Sequence, residues 1–274
     1  MFGIALDLRL ADFREALRRP KAVIVGVIGQ MLLLPALSFL LIYLIKPAPS
    51  VALGMLLVAA CPGGNISNFI AYLARADVAV SIALTAISTL FAAVTTPFHL
   101  AFWGGLNEST APLLREVALD PVSLAAMIAL ILVGPLLVGM TVAARLPAVA
   151  GRLKRPMRWF SILAFATFIA VALANNFDYF LEYVGVIFGV VALHNSAAFL
   201  LGYVLARVTR VPEPARRTLT IEVGIQNTGL ALILIFTFFD GLGGMAFIAA
   251  WWGVWHIIAG LSIAFLWSRR AAKA

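Results

Sequence analysis

A carboxylate, two carboxamides, a hydroxyl and two glycines stand in the middle of an apolar run, in Ile221-Glu222-Val223-Gly224-Ile225-Gln226-Asn227-Thr228-Gly229-Leu230. The run extends from Leu219 to Phe239, long enough for a membrane-spanning helix. An ionisable group near a bilayer centre is costly unless it has a partner, so it marks a functional site. Glycines flanking Gln226 and Asn227 let the helix open and expose backbone carbonyls. Backbone can do that only where it lines a polar cavity. The bland alternative puts Glu222 at headgroup level, paired with Arg216 or Arg217. Gln226 and Asn227 argue against it, because they lie a turn deeper and need partners of their own.

The composition agrees with a membrane solvent. The chain is 63% hydrophobic and 12% charged, where soluble domains carry about 25% charged residues. Its 274 residues suit one all-α integral membrane bundle. A single cysteine, Cys61, excludes an intrachain disulfide framework and a cysteine-based metal site. Charges from Asp7 to Arg19 leave no room for the apolar stretch of a cleavable signal peptide.

Residues 1–21 read as an interfacial helix or the remnant of a span. About eight apolar segments follow, at 22–45, 51–74, 78–103, 121–144, 159–177, 183–206, 218–239 and 242–267. The longest connection, 104–120, is polar and suits a short surface helix. With residues 1–21 in the cytoplasm, 18 of the 20 Lys and Arg fall on the cytoplasmic side, and only Lys46 and Arg115 fall outside. That asymmetry places both termini in the cytoplasm. It also accounts for the +8 net charge without a nucleic-acid partner.

The second segment repeats the anomaly of the seventh. Cys61-Pro62-Gly63-Gly64-Asn65-Ile66-Ser67-Asn68 lies in the middle of 51–74. Pro62 removes a backbone donor, and the glycines admit conformations closed to other residues. Segments one to three and six to eight thus form two triplets of opposite orientation, each interrupted in its central member. That is the pointer to an inverted-repeat transporter with two crossed discontinuous helices. Gln30 lies mid-segment in the first member of one triplet, and His194-Asn195 in the first member of the other.

Hard cations take oxygen ligands, and the oxygen inventory suits sodium: Glu222, the hydroxyls of Ser67, Ser81 and Thr85, the amides of Gln30, Asn68 and Gln226, and freed carbonyls. Ser81 and Thr85 share a helix face. Their ordinary alternative is to bond the carbonyl four residues back. His194 and His256 are candidate proton carriers, against the commoner role of hydrogen-bonded structural histidines. No GxSxG or HExxH motif appears, and nothing favours an enzyme.

Three motifs carry a resemblance. Pro62-Gly63-Gly64 with Ser67-Asn68 is the first, followed by Leu73-Ala74-Arg75-Ala76-Asp77 and by Ser81, Thr85, Ser88 and Thr89. Ile221 to Leu230 is the second, and Val254-Trp255-His256 the third. Together they resemble the bile acid:sodium symporter family, within the bile/arsenite/riboflavin transporter superfamily, along the whole chain. The resemblance implies two inverted five-helix repeats forming a core domain and a panel domain. On this chain the core would be 22–103 and 183–274, and 104–182 would hold a loop and panel helices. It implies one sodium site at Ser67, Asn68, Ser81, Thr85 and Glu222. A second would use Gln30, Glu222, Gln226 and the carbonyls of Val223 and Ile225. The substrate, an organic anion, would bind near Asn65, Asn227 and His256. Sodium would be the co-transported ion, with no organic cofactor and the lipid bilayer as surroundings. The oligomeric state is open.

Two departures from the family pattern matter. Relatives with ten helices start earlier, so this chain begins near the end of their second helix, with the panel incomplete. Relatives often carry Thr at Asn65, and Asn where this chain has Ile257. The substrate is then bile-acid-like or a small carboxylate such as pantoate. The expected activity is sodium-coupled symport in the cell (inner) membrane. Its rivals are a proton-coupled or efflux carrier of the same superfamily and a non-transporting membrane subunit.

Overall fold

The computed structural model describes residues 2, 6, 18–117, 120–175 and 177–269. The interfacial helix or span remnant expected over 1–21 lies outside these residues for most of its length. All the regular structure among the described residues is helical. The helices are α1 (Pro20–Ile45), α2 (Pro49–Ala60), α3 (Asn65–Leu73), α4 (Val78–Leu106), α5 (Ala111–Glu116), α6 (Val122–Arg145), α7 (Pro147–Asn175), α8 (Phe177–Val208), α9 (Glu213–Gly224), α10 (Thr228–Phe238) and α11 (Gly243–Ser268). Among the described residues, six stretches are long and apolar enough to cross a membrane: α1, α4, α6, Val184–Val208 of α8, the α9–α10 run and α11.

Local chemistry sets the ends. Asp77 caps α4, its Oδ1 accepting from Val80 N at 3.3 Å. Asp120 caps α6 through the amides of Val122 and Ser123. α3 closes with a left-handed residue, Arg75 (φ 52), and the bond from Ala76 N to Ala71 O typical of a C-terminal cap. α1 carries one π-helical turn, Gly29–Leu33, just ahead of Pro35. Such a turn inserts a residue and rotates the later part of the helix.

The polar connection 104–120 holds the short helix α5, as the sequence suggests. The expected segment 51–74 divides into α2 and α3. Residues 159–175 of the expected segment 159–177 lie in α7, whose helix begins at Pro147. Arg152, Lys154 and Arg155 thus stand on its first turns.

Two elements form the centre. Every residue of α2 from Val51 to Ala60 is buried, packed among α1, α4 and α11. The α9–α10 run is the second: 78% of its most apolar window is buried, against 28–50% for the other five candidate spans. α9 lies on α8 and touches α1, α3 and α4. Close approach needs small residues where helices cross. A Cβ on Gly202 of α8 would sit 2.6 Å from the Leu219 carbonyl oxygen and 2.9 Å from Thr220 Cα.

Gly202→Ala is therefore expected to destabilise the fold by about 1–3 kcal/mol, since backbone must give way. Gly185→Ala, in the same helix with nothing within 4 Å of its Cβ, is expected to be neutral or slightly stabilising. Thermal unfolding of both variants in detergent checks this; equal midpoints would refute the close approach as a constraint.

Candidate functional site

Residues 61–64 and 225–227 are the non-helical interruptions, and they meet. Asn227 N donates to Cys61 O at 2.9 Å. Pro62 ends α2 by excluding Cys61 from helical geometry (φ −98, ψ 83). Gly63 turns left-handed (φ 65), and a Cβ there would lie 2.9 Å from Ser88 Oγ. A Cβ on Gly64 would lie 3.5 Å from Gln226 O.

Opening a helix inside a bundle orphans its last carbonyls. Here side chains take them, from other helices in every case but Gln226. Thr96 Oγ1 of α4 donates to Ala60 O at 2.5 Å. At the end of α9, Gln30 Nε2 donates to Glu222 O (2.8 Å), Gln226 Nε2 to Val223 O (2.8 Å) and Asn195 Nδ2 to Gly224 O (2.7 Å). The π-turn of α1 carries Gln30 to this point. Each amide spends its N–H on a carbonyl, and its own oxygen is left over. Gln30 Oε1, Gln226 Oε1 and Asn195 Oδ1 are all buried without a hydrogen-bond partner. Ile225 is extended (φ −108, ψ 117), which takes its carbonyl out of the helical ladder.

The Glu222 side chain points into a second group of oxygens. Ser81 Oγ lies 2.5 Å from Glu222 Oε1 and 2.8 Å from Asn68 Oδ1. Thr85 Oγ1 lies 3.3 and 3.2 Å from the two carboxylate oxygens and 3.5 Å from Asn68 Oδ1. Ser67 Oγ, 3.4 Å from Thr85 Oγ1, donates to Gly64 O at 2.6 Å. α3, α4 and α9 thus bring Ser67, Asn68, Ser81, Thr85 and Glu222 together.

With Glu222 ionised, the hydroxyl hydrogens do not suffice for these contacts. Ser81 has one hydroxyl hydrogen and two close acceptors. Thr85 has one hydrogen and three acceptors. Ser67 spends its hydrogen on Gly64 O. Glu222 is fully buried, and among the described residues no Lys, Arg or His lies within ion-pair distance of its carboxylate. Arg217 is paired with Glu213 instead. Oxygen ligands of this kind are what a hard cation takes.

The three expected substrate residues are placed less closely. Asn65 opens α3; its side chain lies outside what is described. Asn227 caps α10, its Oδ1 accepting from Leu230 N at 3.1 Å. His256 of α11 is buried with Nδ1 unpartnered. It stands one turn before Gly260, whose Cα faces Ile70 and Ile225. No hydrogen bond joins His256 to Asn227. His194 is a structural residue: Nε2 lies 2.6 Å from Ser38 Oγ, and the ring stands edge-on to Trp252.

Asn195 and Thr96 escaped the sequence reading as site residues. Asn195 stands mid-segment opposite Gln30, and that position was its only signal. Thr96 has no signal, since a threonine in an apolar helix ordinarily bonds its own backbone.

Comparison with known proteins completes the picture. The profile of the Sodium Bile acid symporter family matches residues 1–183. The chain is 31% identical over 273 residues to the uncharacterized sodium-dependent transporter YocS of Bacillus subtilis (strain 168), covering all of this chain and 82% of that protein. It is 30% identical over 274 residues to the probable chloroplastic sodium/metabolite cotransporter BASS1 of Arabidopsis thaliana, all of this chain and 66% of the relative. Against the rice protein of the same description it is 32% identical over 235 residues, 85% of this chain and 55% of the relative. The chain thus spans about half to two thirds of the plant proteins. It belongs to the Sodium Bile acid symporter family.

Proposed function

We propose that this multi-pass membrane protein is a sodium-coupled secondary symporter of an organic anion, working by alternating access. The observation that carries the reading is the shortage of protons among the oxygens around Glu222. A bound Na⁺ replaces the missing positive charge and neutralises the carboxylate. One ion would sit among Ser67, Asn68, Ser81, Thr85 and Glu222. A second would use Gln30, Gln226, Glu222 and the carbonyls of Val223 and Ile225, drawing on the unpartnered amide oxygens. The printed names of the relatives, sodium-dependent transporter and sodium/metabolite cotransporter, agree with a carrier of this kind rather than an enzyme.

In this reading 22–103 and 183–274 are inverted core repeats, 104–182 carries the panel, and the chain has eight spans with both termini cytoplasmic. The meeting of the two interruptions supports it. α3 and α10 present their positive N-terminal ends there, where Asn65, Asn227 and His256 would hold the anion. Asn65 and Ile257 depart from the family pattern in that crevice. The substrate is therefore bile-acid-like or a small carboxylate such as pantoate.

Glu222→Gln is expected to fold and to lose sodium-dependent thermal stabilisation. A ligand at about a hundred times its dissociation constant stabilises a fold by about 2.7 kcal/mol. Melting midpoints of both proteins in sodium and potassium buffers measure this. An undiminished sodium response in Glu222→Gln excludes the carboxylate as a ligand. Stabilisation by acid instead of sodium in the unmodified chain would favour the proton-coupled rival.

A second comparison separates ion from substrate residues. Thr85→Val is expected to weaken anion binding at low sodium and to regain it as sodium rises, because the sites are thermodynamically coupled. Asn227→Ser keeps an oxygen for the α10 cap but loses the amide, a loss of about 1–2 kcal/mol that sodium does not restore. Anion affinity measured against sodium for the two variants tests the division. Rescue of Asn227→Ser alone would reverse the assignment.

A further inference from the structure

The oxygens around Glu222 come from three helices, and their spacing depends on how α3, α4 and α9 are held at one end. That end is built around Arg217, which is 2% exposed. Its Nη2 and Nε reach Glu213 Oε1 at 2.6 and 3.2 Å. Its Nη1 donates to Ala74 O at 3.0 Å and to Trp267 O at 3.3 Å. Ala74 is the C-terminal cap of α3, and Trp267 lies in the last turn of α11. One guanidinium thus closes the negative ends of two helices, where a cation is favoured. The ring of Trp267 lies beneath it, 5.7 Å away.

The neighbouring residue continues the pattern. Thr218 Oγ1 donates to Asp77 O at 2.8 Å, and Asp77 N donates to Pro214 O at 3.1 Å. Asp77 also starts α4 and is ion-paired with Arg19. Thr218 and Glu222 are four apart on α9, and Asp77 and Ser81 are four apart at the start of α4. They form successive rungs between the two helices: Thr218 to Asp77, then Glu222 to Ser81. The first rung is fixed by backbone acceptors. The second is the candidate ion site.

We infer that Arg217 and Thr218 are positioning residues for cation binding. They hold the 74–77 turn between α3 and α4 against α9, and so set the distance from Ser67, Asn68, Ser81 and Thr85 to Glu222. Neither touches the ion. This rests on the sodium reading above. A lysine at 217 keeps the charge but reaches one carbonyl as a point donor, where the fork reaches two carbonyls and a carboxylate.

The test is the full-length chain in detergent, its melting midpoint titrated with sodium chloride at constant ionic strength. Arg217→Lys and Thr218→Val are compared with Thr237→Val, an exposed hydroxyl that bonds only its own helix at Ile233 O. Half-saturating sodium is expected to rise about three- to thirtyfold in Arg217→Lys and Thr218→Val, the range for residues that act through others. It should stay unchanged in Thr237→Val. A purely structural role would lower the sodium-free midpoint and leave half-saturation where it was, and that result overturns the inference. If Arg217→Lys does not fold, Thr218→Val decides alone. No sodium-dependent shift in the unmodified chain would sink the sodium reading together with this inference. A normal shift there with unmoved variants sinks the inference only.

Discussion

Backbone carbonyls freed within a membrane lack bulk water as a partner, and the polar features at the centre of this protein follow from how they are satisfied. Two central helices are interrupted, and each interruption releases acceptors. The Asn227 amide takes Cys61 O, Thr96 takes Ala60 O, and three carboxamides take the last carbonyls of α9. Those bonds take up several of the carbonyls that the gaps release. They also convert hydrogen-bond donors into leftover oxygens, since an amide that donates through nitrogen presents its oxygen to whatever remains. The electronegative character of the site is thus a by-product of keeping the helices broken.

The carboxylate sharpens that character. Glu222 is buried among hydroxyls whose hydrogens are already oversubscribed, and the one buried guanidinium on its helix is committed to Glu213 and to two carbonyls. A buried charge without a partner is strongly unfavourable, and in the proposed reading a bound cation would supply that partner. Because the oxygens come from α3, α4 and α9, an ion bound there would join three helices. A change in ion occupancy would then be a change in how those helices pack. Where the two interruptions meet, the same ion would act on the N-terminal ends of α3 and α10.

Much of this was legible in the sequence because a bilayer makes polar residues conspicuous. Glu222, Gln226 and Asn227 stand out in an apolar run, as do Pro62, Gly63, Gly64 and the polar residues after them. Six of the apolar segments appear among the described residues as helical stretches of spanning length within a few residues of their expected ends, and the family read from the motifs agrees with the profile match over residues 1–183. By itself the sequence determined that the chain is helical and membrane-embedded, and that two otherwise apolar stretches are interrupted by polar residues and glycines. Local composition suffices for that, since a polar group inside an apolar run needs a partner in the fold, whichever group that partner turns out to be.

Tertiary structure alone decided which group meets which. That Asn195 reaches Gly224 O, 29 residues away, and that Arg217 closes α3 and α11 instead of neutralising Glu222, depends on helix crossings set by contacts such as Gly202 on Leu219. The same holds for Thr96, whose hydroxyl could as well have bonded its own helix, and for His194, which the fold assigns to Ser38. A hydrogen bond between residues far apart in the chain is fixed by the rotation and depth of two helices. Those are properties of the packed bundle, and no spacing along one helix encodes them.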